Sequence, residues 1–163
     1  MNHFSKILLD GGIVAVIASL LLIVPMMINP RFFLQDYPNK IKEAVPARTA
    51  SEKKAAIIFG TPFILVLFLG PFFSTLSLKA TTSSFGVLFL NAFGVSMAFN
   101  LVDWLVLDWL LFCTITPKFM VIPGTEGMAA YKDYAFHFRG FITGTVISVI
   151  AALVIAMVIF FIK

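Results

Sequence analysis

The stretch GFITGTVISVIAALVIAMVIFFI, from Gly140 to Ile162, runs for 23 residues without a charged side chain. A helix needs about 20 predominantly apolar residues to cross the hydrocarbon core of a bilayer. Lipid offers no hydrogen bonds to a backbone, so a segment placed there satisfies its own amides and carbonyls as a helix. Three further apolar runs lie upstream. Ile7 to Ile28 carries one acid, Asp10, near its outer end, and Ala55 to Leu78 is the second run. Ser84 to Thr116 is 33 residues long, more than one simple span requires. A membrane β-strand would be about ten residues of alternating polarity, and these runs do not alternate.

The composition agrees. Of 163 residues, 60% are hydrophobic and 12% are charged, against about 45–50% and 25% in soluble domains. That excludes a soluble globular domain, and disorder needs the opposite balance. The expectation is an all-α integral membrane protein with one transmembrane domain over 1–163. Four transmembrane helices, approximately 7–28, 55–78, 90–116 and 140–162, form a bundle of two helical hairpins. Short interfacial helices are expected in the two long loops. Four spans and their loops occupy these residues, so no separate catalytic domain is expected within them. The first run is read as a retained span and not a signal peptide, because no small-x-small cleavage site follows it.

Basic residues orient the spans. Arg31, Lys40, Lys42, Arg48, Lys53 and Lys54 lie in the first long loop, and Lys118, Lys132 and Arg139 in the second, making nine; Lys6, Lys79 and Lys163 make three on the other side. The positive-inside rule then places both long loops in the cytoplasm and both termini outside. The net charge of +4 is read as orientation and contact with anionic lipid, not as nucleic-acid binding. Thr49-Ala50-Ser51-Glu52 matches a capping box, so the second helix should begin near Ser51. Pro30, Pro38 and Pro46 imply an ordered first loop, with Phe32, Phe33 and Tyr37 anchoring it at the interface.

Ile28-Asn29-Pro30-Arg31-Phe32 and Ile115-Thr116-Pro117-Lys118-Phe119 end the first and third spans alike. A duplicated hairpin explains this, as does the common use of proline and basic-aromatic pairs at membrane boundaries. By that match the embedded part of the third run is roughly Val95 to Thr116.

Gly140, Gly144, Ser148, Ala152 and Ala156 form a strict four-residue stripe of small side chains. Such stripes let two helix backbones approach closely in lipid. The partner is a helix of the same chain, a second copy in a homodimer, or another membrane subunit. Pro62 and Gly70-Pro71 in the second span imply either a kink or a functional unwinding.

The sharpest feature is Asn100-Leu-Val-Asp103-Trp104-Leu-Val-Leu-Asp108-Trp109, with two carboxylates inside an apolar run. On an α-helix Asn100 lies between them, with Asp103 about 60° to one side and Asp108 about 80° to the other. Trp104 falls on the same broad face, and Asn91 and Ser96 lie above. A charge at a helix centre costs roughly 2.5–3.5 kcal/mol on insertion scales, and no lysine or arginine lies in a span to pair with them. These acids therefore read as a ligand- or ion-binding site, as interhelical hydrogen-bond partners, or as interfacial groups if the span ends near Val102.

A second cluster, Tyr131, Asp133, His137 and Arg139, lies near the interface in the second loop. His137 and Asp133, four apart, stand side by side on a helix, as two metal ligands, a proton relay or, most commonly, a surface ion pair, and an Asp108–His137 cluster forms if the third helix breaks. Lys132, Phe136 and Arg139 suggest a basic-aromatic face toward headgroups. Two histidines are too few for a metal or haem site, Cys113 reads as a buried inert thiol, and no metal or cofactor is expected. No phosphate-cradling glycine loop, Gly-x-Ser-x-Gly, His-Glu-x-x-His or Cys-x-x-Cys is present.

Three functions follow. The first is transport or binding of a proton, a cation or a small polar or cationic ligand at the acids. The second is an enzyme acting on a lipid or isoprenoid at the cytoplasmic interface. The third is a non-catalytic subunit. Acids at mid-bilayer on a cavity favour the first, and acids meeting His137 at the interface favour the second.

Overall fold

A computed structural model describes residues 2–82 and 84–162. Its regular elements are all helices joined by turns and short loops, with no strand among these residues. Helix α1 is His3–Ile28, a 3-10 turn covers Pro30–Asp36, and α2 is the short helix Asn39–Glu43. Helix α3 is Ala50–Leu76 and α4 is Phe85–Val102. From Asp103 to Ile115 the same rod continues with π-helical winding. After two 3-10 turns, Lys118–Met120 and Ala129–Lys132, helix α5 runs from Tyr134 to Phe161. Four rods, α1, α3, α4 with its π extension, and α5, are long and apolar enough to cross a membrane.

Local chemistry explains the boundaries. The capping box forms, with Thr49 Oγ1 accepting from the Glu52 amide at 3.2 Å and Glu52 accepting from the Thr49 amide at 2.7 Å. Helix α3 therefore starts at Ala50. It stays helical across Pro62 and Pro71, so the expected alternatives resolve against unwinding; both freed carbonyls sit in a helix held by its flanking turns. Helix α5 starts at Tyr134, six residues before the apolar run, because the Asp133 side chain accepts from the Phe136 amide at 2.9 Å and caps it. That capping is also why the expected Asp133–His137 pair does not form.

Packing is close where small residues allow it. Helix α4 sits centrally, with α1 on one side and α5 on another, and α3 against α1 and α4. A Cβ added at Gly11 would stand 2.6 Å from Ala98 Cβ, and one at Gly94 would stand 2.7 Å from Ile7 Cγ2. The α1–α4 approach thus rests on two glycines outside the α5 stripe. The stripe itself is used within the chain. Ala152 and Ala156 are fully buried against Leu88 and Ala92 of α4, and a Cβ at Gly144 would collide with the Asn100 side chain. Gly140, by contrast, faces open space.

At one end of the bundle the two long loops pack together. Tyr37, Ile41, Phe112, Met120, Ile122 and Tyr131 form a buried cluster, tied by a bond from Tyr37 Oη to the Met120 carbonyl at 2.9 Å. Arg31 fastens the first loop to α3 through Glu52 at 2.6 Å and through the Pro46 carbonyl at 3.0 Å. The two Ile-polar-Pro-basic-Phe segments end their helices differently. Asn29 is extended and accepts from the Arg31 amide, whereas Thr116 adopts a left-handed conformation at φ 48°.

Candidate functional site

The π winding decides the site. Its hydrogen bonds run between residues five apart, as from the Thr116 amide to the Leu111 carbonyl at 2.8 Å. Residues five apart therefore come into line, where an α-helix would separate them by about 140°. Asp103 and Asp108 are such a pair, and so are Trp104 and Trp109. The two indoles meet edge to face with centroids 4.9 Å apart. The segment thus carries an acidic line and an aromatic line. The aromatic line leans on α5: Trp104 stacks on Phe141 at 4.3 Å, and Trp109 packs on Tyr134 at 5.6 Å.

The acidic line opens on a cavity of about 730 Å³ between α1, α3, the π segment, the start of α5 and the first loop. That volume lies within the range of small-molecule sites, roughly 300–1,000 Å³. Asp103, Asp108, His137, Asp36, Gln35, Tyr37 and Thr61 supply polar groups to its wall. Most of the rest is apolar, including Leu22, Ile23 and Met26 of α1, Ile57, Phe63 and Ile64 of α3, and Phe112 and Phe136. No lysine or arginine lines it among the described residues.

Within this cavity Asp108 Oδ1 meets His137 Nδ1 at 2.8 Å. His137 is only 5% exposed, and its Nε2 has no partner among the described residues. Asp103 accepts no hydrogen bond from any described side chain or amide, and it lies within electrostatic reach of Asp108 and Asp36. Asp36 faces the cavity from the first loop. The surrounding protein pushes its carboxyl above the ordinary carboxylate range, with Asp108 adding to the rise and Arg48 and Lys42 opposing it. Those two bases are occupied on carbonyl groups: Arg48 donates to the Phe32 carbonyl at 2.7 Å and to Gln35 Oε1 at 2.7 Å, and Lys42 to the Gln35 carbonyl at 3.2 Å.

Several expected site residues sit elsewhere. Asn100 turns to α5, donating to Thr145 Oγ1 at 3.0 Å and to the Phe141 carbonyl at 3.2 Å. The π winding brings Asp108 to the Asp103 side, so both acids line the cavity while Asn100 bonds to α5, and the four-residue polar face expected for an α-helix is split. Asn91 lies at the opposite end. It donates to Ser74 Oγ at 3.0 Å and Thr75 Oγ1 at 3.1 Å, and Ser74 in turn donates to Asp10 at 2.6 Å. Lys6 closes that chain on Asp10 at 2.6 Å. Trp104 belongs to the α5 contact and not to the cavity wall. Tyr131 is a loop-core residue, its hydroxyl accepting from the Ile122 amide at 2.9 Å and pairing with Thr125 Oγ1 at 2.6 Å. Arg139 is exposed on α5, and Phe136 faces the cavity instead of joining Lys132 and Arg139 on a headgroup face.

Asp36, Gln35 and Thr61 were not expected as site residues. The only signal for Asp36 was an acid between Phe33 and Tyr37 in a proline-bounded loop. Among the described residues no three histidine, cysteine, aspartate or glutamate side chains converge to hold a metal ion. Comparison with protein families, with curated proteins and with solved structures gives no match to this chain.

Proposed function

We propose that this chain binds a cation or a small cationic ligand at the Asp103–Asp108–Asp36 cluster and carries it across the bilayer with proton coupling. The observation that carries this reading is Asp103, a carboxylate without a partner among the described residues, on a cavity that none of the described lysines or arginines lines. A buried carboxylate is tolerated when protonated, hydrated or paired with a cation. A cavity holding three of them exchanges protons for a cation with little rearrangement. In the same reading the spans form two hairpins, α1 with α3 and the α4–π rod with α5, with their long loops joined on the cytoplasmic side. Lys118, Lys132 and Arg139, exposed at that end, then face anionic headgroups.

In vesicles containing the purified protein and a pH-sensitive dye, Asp103→Asn should abolish proton flux driven by an ethylammonium gradient. Circular dichroism and gel filtration should remain unchanged. Undiminished flux in that variant would sink the assignment.

A second reading, lipid chemistry, is favoured by the Asp108–His137 contact. A carboxylate on Nδ1 orients an imidazole as a general base and leaves Nε2 free for a substrate proton. Under that reading His137→Gln stops turnover of an added lipid, whereas under transport it alters only affinity. Product analysis by mass spectrometry with bilayer lipids separates the two.

A further inference from the structure

The acidic wall of the cavity is rich in acceptors, while the donors that line it, the Gln35 side-chain amide and the Thr61 hydroxyl, carry no charge. Asp36, Asp103 and Asp108 carry only acceptor oxygens when ionised. With Asp108 ionised, His137 Nδ1 carries the proton they share, and in the neutral ring Nε2 presents a lone pair with no partner. The Tyr37 hydroxyl is already spent on the Met120 carbonyl. A group that satisfies such a site brings several N–H donors and a positive charge.

The rest of the cavity asks for a different chemistry. Leu22, Ile23 and Met26 form one apolar wall, and α3 forms the other. On α3, Ile57 is 68% exposed and Ile64 is 61% exposed, so the wall continues onto the surface that faces lipid. Gln35 and Asp36 are exposed at the loop end. The opening therefore runs from an acidic rim at headgroup level down an apolar track along the membrane side of α3. Bulk ions need only the rim.

Resting on the cation-binding reading above, we infer that the ligand is a single-chain amphiphile with a protonated primary amine. It enters sideways from the leaflet, with its ammonium on the acidic wall at Asp103 and Asp108 and its chain along α1 and α3. The charge meets the carboxylates, His137 Nε2 is an unpartnered acceptor on the same wall, and the apolar track gives the chain a place to lie that a short cation does not use.

The test is binding to the full chain in a zwitterionic-lipid nanodisc, followed by tryptophan fluorescence and by thermal shift. Dodecylammonium should bind about tenfold or more tighter than ethylammonium, dodecanol and dodecyltrimethylammonium, a difference of about 1.4 kcal/mol. Asp103→Asn should remove that preference. Ile64→Trp, on the exposed mouth, should weaken dodecylammonium while leaving ethylammonium unchanged. Ethylammonium binding as tightly as dodecylammonium, with both lost in Asp103→Asn, would overturn the amphiphile and leave the cation site standing. Equal binding of the trimethylammonium compound would overturn the primary-amine assignment. Dodecanol binding equally well, or insensitivity to Asp103→Asn, would overturn the amphiphile and the cation site together.

Discussion

Asp36 shows how a single side chain sets the conditions under which the cavity works. Although Asp36 is exposed at the rim, neighbouring protein costs its charge part of its hydration and Asp108 repels it, so its carboxyl is raised above the ordinary range, with Arg48 and Lys42 only partly compensating. A raised carboxyl holds its proton more tightly in the folded protein. A bound cation requires the ionised form, so affinity falls as pH is lowered through that raised value, by at most about tenfold per pH unit for one linked proton. Stability runs the opposite way: Asp36 favours folding below its unfolded value and ceases to as pH rises past the raised one. In Asp36→Asn the acidic limb of a cation-affinity profile should flatten. Superimposable profiles for the two proteins would show that Asp36 does not couple to the site. Tyr37 differs: burial pushes its phenol well above the ordinary range, so it remains a hydrogen-bond donor throughout the working pH range.

At the scale of elements, the π segment and the small-residue contacts each carry a prediction. Residues five apart align in the π winding, so the Trp104 and Trp109 rings touch at 4.9 Å. Two indoles that close couple their transitions. The near-ultraviolet circular dichroism should show a couplet that Trp104→Phe and Trp109→Phe each abolish entirely. Two independent half-losses would indicate an ordinary α-helix there, and the acids would then diverge. On α5, Gly144→Ala should drive Asn100 from its bonds to Thr145 and the Phe141 carbonyl. The cost is that of overpacking, about 1–3 kcal/mol. Gly140→Ala, only four residues away on the same stripe, meets open space and should leave the melting temperature in detergent unchanged. Equal effects at the two glycines would show that the stripe works through helix propensity and not through contact with α4.

For the whole molecule, the decisive joint is between the two loops. Tyr37 on the first loop is 1% exposed and holds the Met120 carbonyl on the second, which pins the two loops together beside the cavity. Tyr37→Phe strands a buried carbonyl, at a cost of about 1–3 kcal/mol. Because the loops support each other, protease sensitivity should rise at both Pro38–Pro46 and Pro117–Gly127, not at the first loop alone. A variant with wild-type melting temperature and unchanged digestion of both loops would mean that the apolar cluster alone holds them. Helix α3 is the least buried of the four long helices, so the molecule is asymmetric: the α4–π rod is the most buried and α3 forms the most exposed wall of the cavity.

Four helices, their approximate limits, the cap at Thr49 and the two acids in the third apolar run were all legible in the sequence, because length, hydropathy and capping are local properties. The α5 stripe was legible as a packing face, but its partner was not, since small residues permit close approach without choosing a neighbour. The cavity was legible only in part. Winding with five-residue hydrogen bonds leaves no mark on an apolar run, so the sequence put Asn100 between the acids, and only the tertiary structure moved Asp103 and Asp108 into one line and Asn100 onto α5. The meeting of Asp108 with His137, and the arrival of Asp36 across from them, depend on how two loops far apart in the chain pack. That is a matter of non-local contacts, which the order of residues does not display.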